Sequence, residues 1–336
     1  MRSIFALVLP LVLLGCGEPE PPPEPQTAPP ADEAREAQPA QPVPAAAQPQ
    51  AASEYLDAVL EEKPDEFKAR YQYRNPKETI EFFGIKPGMT VVEALPGAGW
   101  YTQILVPYLG DGGRLIGANY KQDMWPLMGY TDPEFAKEMT TWTEDWPREV
   151  EAWEASGAAS IDAFEFGSLA EQMEGQADVV LFIRALHNLA RFEEQGGYLS
   201  TALEETFKVL KPGGIVGVVQ HEARPDMPDE WSTGEHGYLK KQYVIDKMTE
   251  AGFEFVDESD VNENPKDRPT EADSVWRLPP SYGTSEDNPD LRAQMDEIGE
   301  SNRMTLKFRK PANTPVAVVN ASHEYIDGVE SRNFRH

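Results

Sequence analysis

The amino-acid sequence predicts an α/β domain built on a doubly wound, mostly parallel sheet, and three features carry that expectation. Residues 177–183 read Ala-Asp-Val-Val-Leu-Phe-Ile, an unbroken apolar run after an acidic start, as expected of a central parallel strand covered on both faces. Similar short runs alternate with amphipathic segments of helical length from residue 76 to residue 308. The joints between them are short clusters of Gly, Pro, Asn and Asp, which makes the crossovers tight.

In chain order, Pro76 to Phe83 reads as a helix with Asn75 as N-cap, Pro76 at its first position and Gly84 at its end. Thr90 to Ala94 is a buried strand, Leu95 to Gly99 a turn, and Trp100 to Leu109 a helix. Arg114 to Ala118 follows the Asp111-Gly112-Gly113 turn as a second strand, and Ser160 to Phe164 is a third. After the apolar fourth strand, Tyr198 to Leu210 is an amphipathic helix ended by Lys211-Pro212-Gly213-Gly214, and Ile215 to Val219 is the fifth strand. Tyr243 to Ala251 is a helix closed by Gly252, Phe253 to Glu258 a sixth strand, and Arg303 to Phe308 a seventh. Two segments exceed that frame. Residues 120–159 hold Trp125, Trp142, Trp146 and Trp153, which fit either an aromatic lid or a helix packed on the sheet; residues 262–302 should fold over the sheet's edge or a pocket mouth.

Among 336 residues, 30 are Lys or Arg and 58 are Asp or Glu, a formal net charge of −28. That excludes a nucleic-acid binder working through a broad basic surface, because such affinity rests on neutralising phosphates. Hydrophobic residues make up 40% and aromatics 10%, enough for a packed core. Beyond the N-terminus no stretch approaches the roughly 20 apolar residues that span a bilayer.

The first sixteen residues carry a separate message. Arg2 precedes an apolar run from Ile4 to Leu14, which is short for a membrane span, and Leu13-Leu14-Gly15-Cys16 closes it. The tetrapeptide resembles the lipobox of bacterial lipoproteins, which implies a signal peptide over 1–15 and acylation of Cys16, the only cysteine of the chain. Gly17 stands where inner-membrane retention favours Asp, so the expected location is the periplasmic face of the outer membrane. The lipid would be the sole membrane contact. Residues 17–50 contain eleven prolines among Ala, Gln and Glu, so residues 16–52 should be a disordered, extended tether at about 3.1 Å per residue. The folded domain is then 53–312, and residues 313–336 form a tail without a functional signal.

In open parallel sheets ligands bind beyond the carboxyl ends of the strands, so the first strand-to-helix turn matters most. Glu93-Ala94-Leu95-Pro96-Gly97-Ala98-Gly99 is an acidic residue followed by a glycine-bearing bend, with Leu95 in the place of a first glycine. Gly97 and Gly99 let backbone approach a ligand, and Glu93 could shape the turn or meet a cationic group.

The order of the remaining motifs extends this. Leu210-Lys211-Pro212-Gly213-Gly214, the fourth strand running into Arg184-Ala185-Leu186-His187-Asn188, and Ala251-Gly252-Phe253 before the sixth strand together resemble the class I S-adenosylmethionine-dependent methyltransferases. More narrowly, Pro96-Gly97-Ala98-Gly99-Trp100-Tyr101-Thr102, Gln220-His221-Glu222-Ala223, Val275-Trp276-Arg277-Leu278-Pro279-Pro280 and Ser301-Asn302-Arg303-Met304-Thr305-Leu306 are similar to predicted exported bacterial methyltransferases. The resemblance implies a Rossmann-like seven-stranded sheet with its last strand antiparallel. It also implies S-adenosylmethionine as cofactor, bound by Glu93, Gly97, Gly99, Trp100 and Tyr101. Asn119 stands where the class has a ribose-binding carboxylate, with Asp123 a turn further on. Asp162 could bond the adenine amino group.

A sulfonium methyl is already activated, so methyl transfer asks the protein to align two partners and to take a proton from a weakly acidic acceptor. Candidate bases are His187 after the fourth strand and His221 after the fifth, with Glu222 to orient a histidine. Arg184 could hold a carboxylate of cofactor or substrate. The acceptor would be a small molecule or an envelope component. The same residues leave a second reading open, a non-catalytic module holding a ligand or a metal. The spacing of His187, His221, Glu222 and His236 fits no compact zinc motif, and no metal is expected.

Overall fold

The computed structural model describes residues 49–153 and 158–312. Cys16, most of the segment read as a tether, and the tail beyond 312 lie outside the described residues. Seven strands, β1 (Thr90–Ala94), β2 (Arg114–Asn119), β3 (Ser160–Glu165), β4 (Ala177–Ile183), β5 (Leu210–His221), β6 (Glu254–Ser259) and β7 (Arg303–Arg309), form one sheet in the order β3-β2-β1-β4-β5-β7-β6. β1 to β5 are parallel, and β7 runs antiparallel to both β5 and β6. This is the doubly wound, Rossmann-like sheet expected from the sequence, including its reversed last strand.

The helices are α1 (Pro49–Glu61), α2 (Asp65–Lys68), α3 (Tyr71–Arg74), α4 (Pro76–Phe83), α5 (Thr102–Leu109), α6 (Pro133–Glu151), α7 (Leu186–Arg191), α8 (Glu193–Gly196), α9 (Tyr198–Val209), α10 (Lys241–Glu250) and α11 (Pro289–Ile298). α1 starts at Pro49, so helix reaches into the last residues of the segment read as tether.

Strand alternation divides the sheet into two faces. Val91, Leu115, Ile161, Val179 and Leu181 point to one face, where α1, α4, α5 and α6 cover them with Leu56, Phe83, Ile104 and Trp146. Val92, Ile116, Val180 and Phe182 point to the other, under Leu189 of α7, Leu203 of α9 and Val244 of α10. Each fully buried Leu, Ile or Phe in these layers contributes about 1.5–3 kcal/mol by removal from water. Gly117 of β2 is needed for this packing: a Cβ there would meet the Trp146 ring at 2.6 Å, so the bare backbone lets α6 seat directly on the sheet.

Three local expectations change. Asn75 makes no side-chain cap to α4; it adopts φ 38° and its amide donates instead to the Val261 carbonyl at 2.6 Å, tying α4 to the segment after β6. Trp100 and Tyr101 stay in the turn, and α5 starts at Thr102. β5 begins at Leu210 rather than Ile215, because Lys211 to Gly214 form an irregularity inside the strand; Gly213 N and Gly214 O both bond Lys310, at 3.0 and 2.9 Å.

The long segment between β6 and β7 is anchored by buried polar contacts. Asp267 accepts from Arg277 Nη2 at 2.7 Å, from Tyr238 Oη at 2.9 Å and from Asn302 N at 2.9 Å. Asn262 Nδ2 donates to Thr79 and Thr305 hydroxyls, each at 3.0 Å. These bonds bring Trp276 and Ser301 to the carboxyl rim of the sheet. No helix among the described residues is long and apolar enough to cross a membrane.

Candidate functional site

Strand order reverses between β1 and β4, and the loops leaving both strands meet at that rim. The bend after β1 is fixed by Leu95 N donating to Ala118 O at 2.7 Å and Gly99 N to Pro96 O at 2.9 Å. Leu95, Gly97 and Gly99 have φ of 55°, 55° and 72°. Left-handed backbone is free for glycine and costs about 1–2 kcal/mol for leucine. Leu95 thus takes a conformation that glycine would favour.

Two hollows open beside this bend, and Leu95, Pro96 and Gly97 line both. The first, about 360 Å³, is walled by Trp125, Tyr130, Phe135 and Trp142, with the amides of Asn119 and Asn188 at its edge. Trp125 lies edge-on to both Tyr120 and Phe135, while Tyr130 stacks on Phe135 with centroids 4.9 Å apart. Of the two roles weighed for the tryptophan-rich segment, packing on the sheet is seen in Trp146, and Trp125 and Trp142 line this cavity. Asn119 Oδ1 accepts from Tyr120 N at 2.8 Å, which turns its amide NH₂ toward Met139 Sδ at 4.0 Å. Asn188 donates to Tyr120 Oη at 2.8 Å. The indole N–H of Trp125 is buried without a partner among the described residues.

The second hollow, about 500 Å³, lies between the ends of β1 and β4 and is roofed by Trp276, Pro279 and Pro280. Glu93, Trp100, Tyr101, Arg184, His187 and His221 all reach it. Glu93 points to the α5 face by strand alternation and is almost wholly buried, accepting from Thr102 Oγ1 at 2.6 Å. Burial pushes its carboxyl up to about 7, and the Thr102 bonds oppose that rise.

His187 and His221 are buried with ring centroids 5.5 Å apart. Burial pushes His187 down to about 4 and His221 well below the usual imidazole range, so both rings are neutral at pH 7. Gln220 fixes the His187 tautomer. Its Nε2 donates to Gly237 O at 2.9 Å, so its Oε1 is the acceptor facing His187 N and Nδ1, each at 3.4 Å. The His187 proton therefore sits on Nδ1, and Nε2 carries the lone pair. His221 Nδ1 bonds Ser301 Oγ at 2.6 Å.

Four groups sit differently from their predicted roles. Glu222 lies one residue past the end of β5 and faces Lys241 Nζ at 3.8 Å; Ser301, not Glu222, orients His221. Asp162 lies in mid-strand opposite Ile116, paired with Arg114 at 2.6 Å, and lines neither hollow, so it is not placed for an adenine. A Cβ at Gly99 would meet the Trp153 ring at 2.7 Å, so that glycine makes room for an indole rather than a ligand. His236 stacks on Trp231 with centroids 5.0 Å apart. Among the described residues no group of three or more His, Cys, Asp or Glu side chains is placed to hold a metal ion.

The sequence reading missed Arg74, Gln220, Glu300 and Ser301, which line or support the larger hollow. Arg74 Nε bonds Glu300 at 3.0 Å across 226 residues of chain, and its guanidinium lies 4.6 Å over the Trp100 ring. Two signals were present, Gln220 beside His221 at the end of the fifth strand and the polar Ser301-Asn302-Arg303 leading into β7.

No protein-family model and no curated protein matches the chain. Solved structures do. A [4+2]-cyclase, SpnF, is 17% identical over 71% of this chain and 81% of its own, with a TM-score of 0.41. An S-adenosylmethionine-dependent methyltransferase from Methanosarcina mazei is 10% identical over 70% and 97%, with a TM-score of 0.42. The 1,6-didemethyltoxoflavin-N1-methyltransferase of Burkholderia thailandensis, solved with bound 1,6-didemethyltoxoflavin and S-adenosylhomocysteine, is 13% identical over 81% and 92%, with a TM-score of 0.39. With scores below 0.5, the fold stands on the strand order and register of this sheet itself.

Proposed function

We propose that the chain is an S-adenosylmethionine-dependent methyltransferase, anchored in the cell envelope through Cys16 and acting on a small-molecule or envelope-associated acceptor. The observation that carries this is the pair of hollows meeting at the Leu95–Gly97 bend, an aromatic one on the β2 side and a polar one on the β4 side. The aromatic hollow has the size and chemistry for an adenosyl group: flat apolar walls for a purine, two amides at the rim for hydroxyls, and an unmet indole donor. Leu95, Pro96 and Gly97 would carry the rest of the cofactor across into the larger hollow.

The cofactor would supply a sulfonium-activated methyl group. The chain's own part is to position the acceptor and to remove its proton. His187 is equipped for this, since Gln220 holds the proton on Nδ1 and leaves Nε2 as the basic atom on a ring that is neutral at pH 7. Trp276 lies beside that ring, with centroids 6.0 Å apart, and lines the hollow with Pro279 and Pro280. Calorimetric titration of the full chain with S-adenosylhomocysteine tests the reading, and saturable heat is expected. Absence of both heat and thermal shift at millimolar ligand would overturn it and leave a non-catalytic binding module.

A further inference from the structure

Around the larger hollow four guanidinium groups converge on one buried carboxylate. Arg70 and Arg74 bond Glu300 from α3 and the residue before it, Arg303 Nη1 bonds it from β7 at 3.1 Å, and Arg184 approaches Glu300 Oε2 at 3.7 Å. The first three have hydrogen bonds; Arg303 also donates to Ser301 O at 3.3 Å and to Tyr73 O. The Arg184 guanidinium makes no hydrogen bond among the described residues, only that loose ion pair. Its side chain is 25% exposed, toward the hollow it lines. Its backbone has φ 58°, a strained conformation for arginine, held by Arg184 N donating to Val219 O at 2.6 Å. The other acid at this hollow, Glu93, is turned to Thr102 and pushed toward neutrality by burial.

Positive charge is thus in excess at a half-buried place, where an incoming oxyanion can form charge-assisted hydrogen bonds. The cluster is built from α3, the end of β4 and the segment before β7, rather than from the bend that would carry the cofactor. We propose that this is the seat of the methyl acceptor, and that the acceptor is an anion whose carboxylate or phosphate docks on Arg184 and Arg74 beside the His187 and His221 rings. The inference rests on the methyl-transfer reading. A carboxylate could also arrive on the cofactor's own amino-acid end, and the experiment separates the two sources.

The full chain, saturated with S-adenosylhomocysteine, is titrated with inorganic phosphate at constant ionic strength while tryptophan fluorescence is followed, Trp100 lying on Arg74 and Trp276 at the mouth. Arg184→Gln should weaken phosphate by about tenfold or more while changing S-adenosylhomocysteine affinity by less than about threefold. Arg184→Lys should recover part of the loss, because it restores charge without the planar fork. Gln and Lys meet the same backbone strain as Arg, and a thermal melt checks that each variant is folded. Phosphate binding indifferent to Arg184→Gln overturns this inference alone. Mutual exclusion between phosphate and S-adenosylhomocysteine also overturns it, by giving the arginines to the cofactor's carboxylate. Failure of S-adenosylhomocysteine to bind at all overturns the methyl-transfer reading on which it rests.

Discussion

Replacing Thr102 by Val removes one hydroxyl from the buried contact with Glu93 and nearly preserves side-chain volume. Thr102 is fully buried, and its Oγ1 lies 2.6 Å from Glu93 Oε2. Because the folded state raises the Glu93 carboxyl from 4.5 to about 7, the folded protein binds the extra proton between those values. Stability drawn from Glu93 is therefore present below the unfolded value and lost as pH rises through about 7. At alkaline pH the carboxylate is charged, and a hydrogen bond to a charged group is worth about 1.5–3 kcal/mol; in acid the partner is neutral and the bond is worth nearer 1 kcal/mol. Thr102→Val should then destabilise by about 1 kcal/mol at pH 5.5 and by about 2–3 kcal/mol at pH 8.5. Urea unfolding at the two pH values, followed by tryptophan fluorescence, reads that difference directly. An equal penalty at both, or a larger one in acid, would refute the picture of Glu93 as an acid whose charge is supported by Thr102.

Other substitutions bear on the proposed chemistry. His187→Ala should lower turnover by about 10²–10⁴-fold and spare S-adenosylhomocysteine binding; wild-type activity should fall only as pH drops through about 4, and an acid limb near 6.5 would remove His187 from the proton transfer. Gly99→Val meets both a φ of 72° and the Trp153 ring, so about 1–3 kcal/mol of strain should distort the bend and abolish cofactor binding by calorimetry. Asp162→Asn breaks a partly exposed pair with Arg114 and should cost at most about 1 kcal/mol in a thermal melt with unchanged S-adenosylhomocysteine affinity; a loss of affinity would return Asp162 to the site.

The strand frame was legible because apolar period and turn residues are local properties of the chain, and every strand predicted from them exists within a few residues. Leu95 shows where local reading stops. Its side chain argues against a left-handed turn, yet the Ala118 carbonyl and the packed neighbours impose one. The error over Glu222 came from ending β5 at Val219: the strand runs to His221, and Glu222 just past its end faces Lys241. The Glu300 cluster was out of reach, since nothing in the neighbourhood of Arg74 or Arg184 signals a carboxylate more than a hundred positions later.

The three residues Leu95, Pro96 and Gly97 form a party wall, with a chamber on each side. A ligand long enough to occupy both chambers must pass over these three residues, so a change at any one of them alters the fit on both sides at once. With leucine there instead of glycine, the partition presents a side chain to the chambers where a glycine would leave bare backbone.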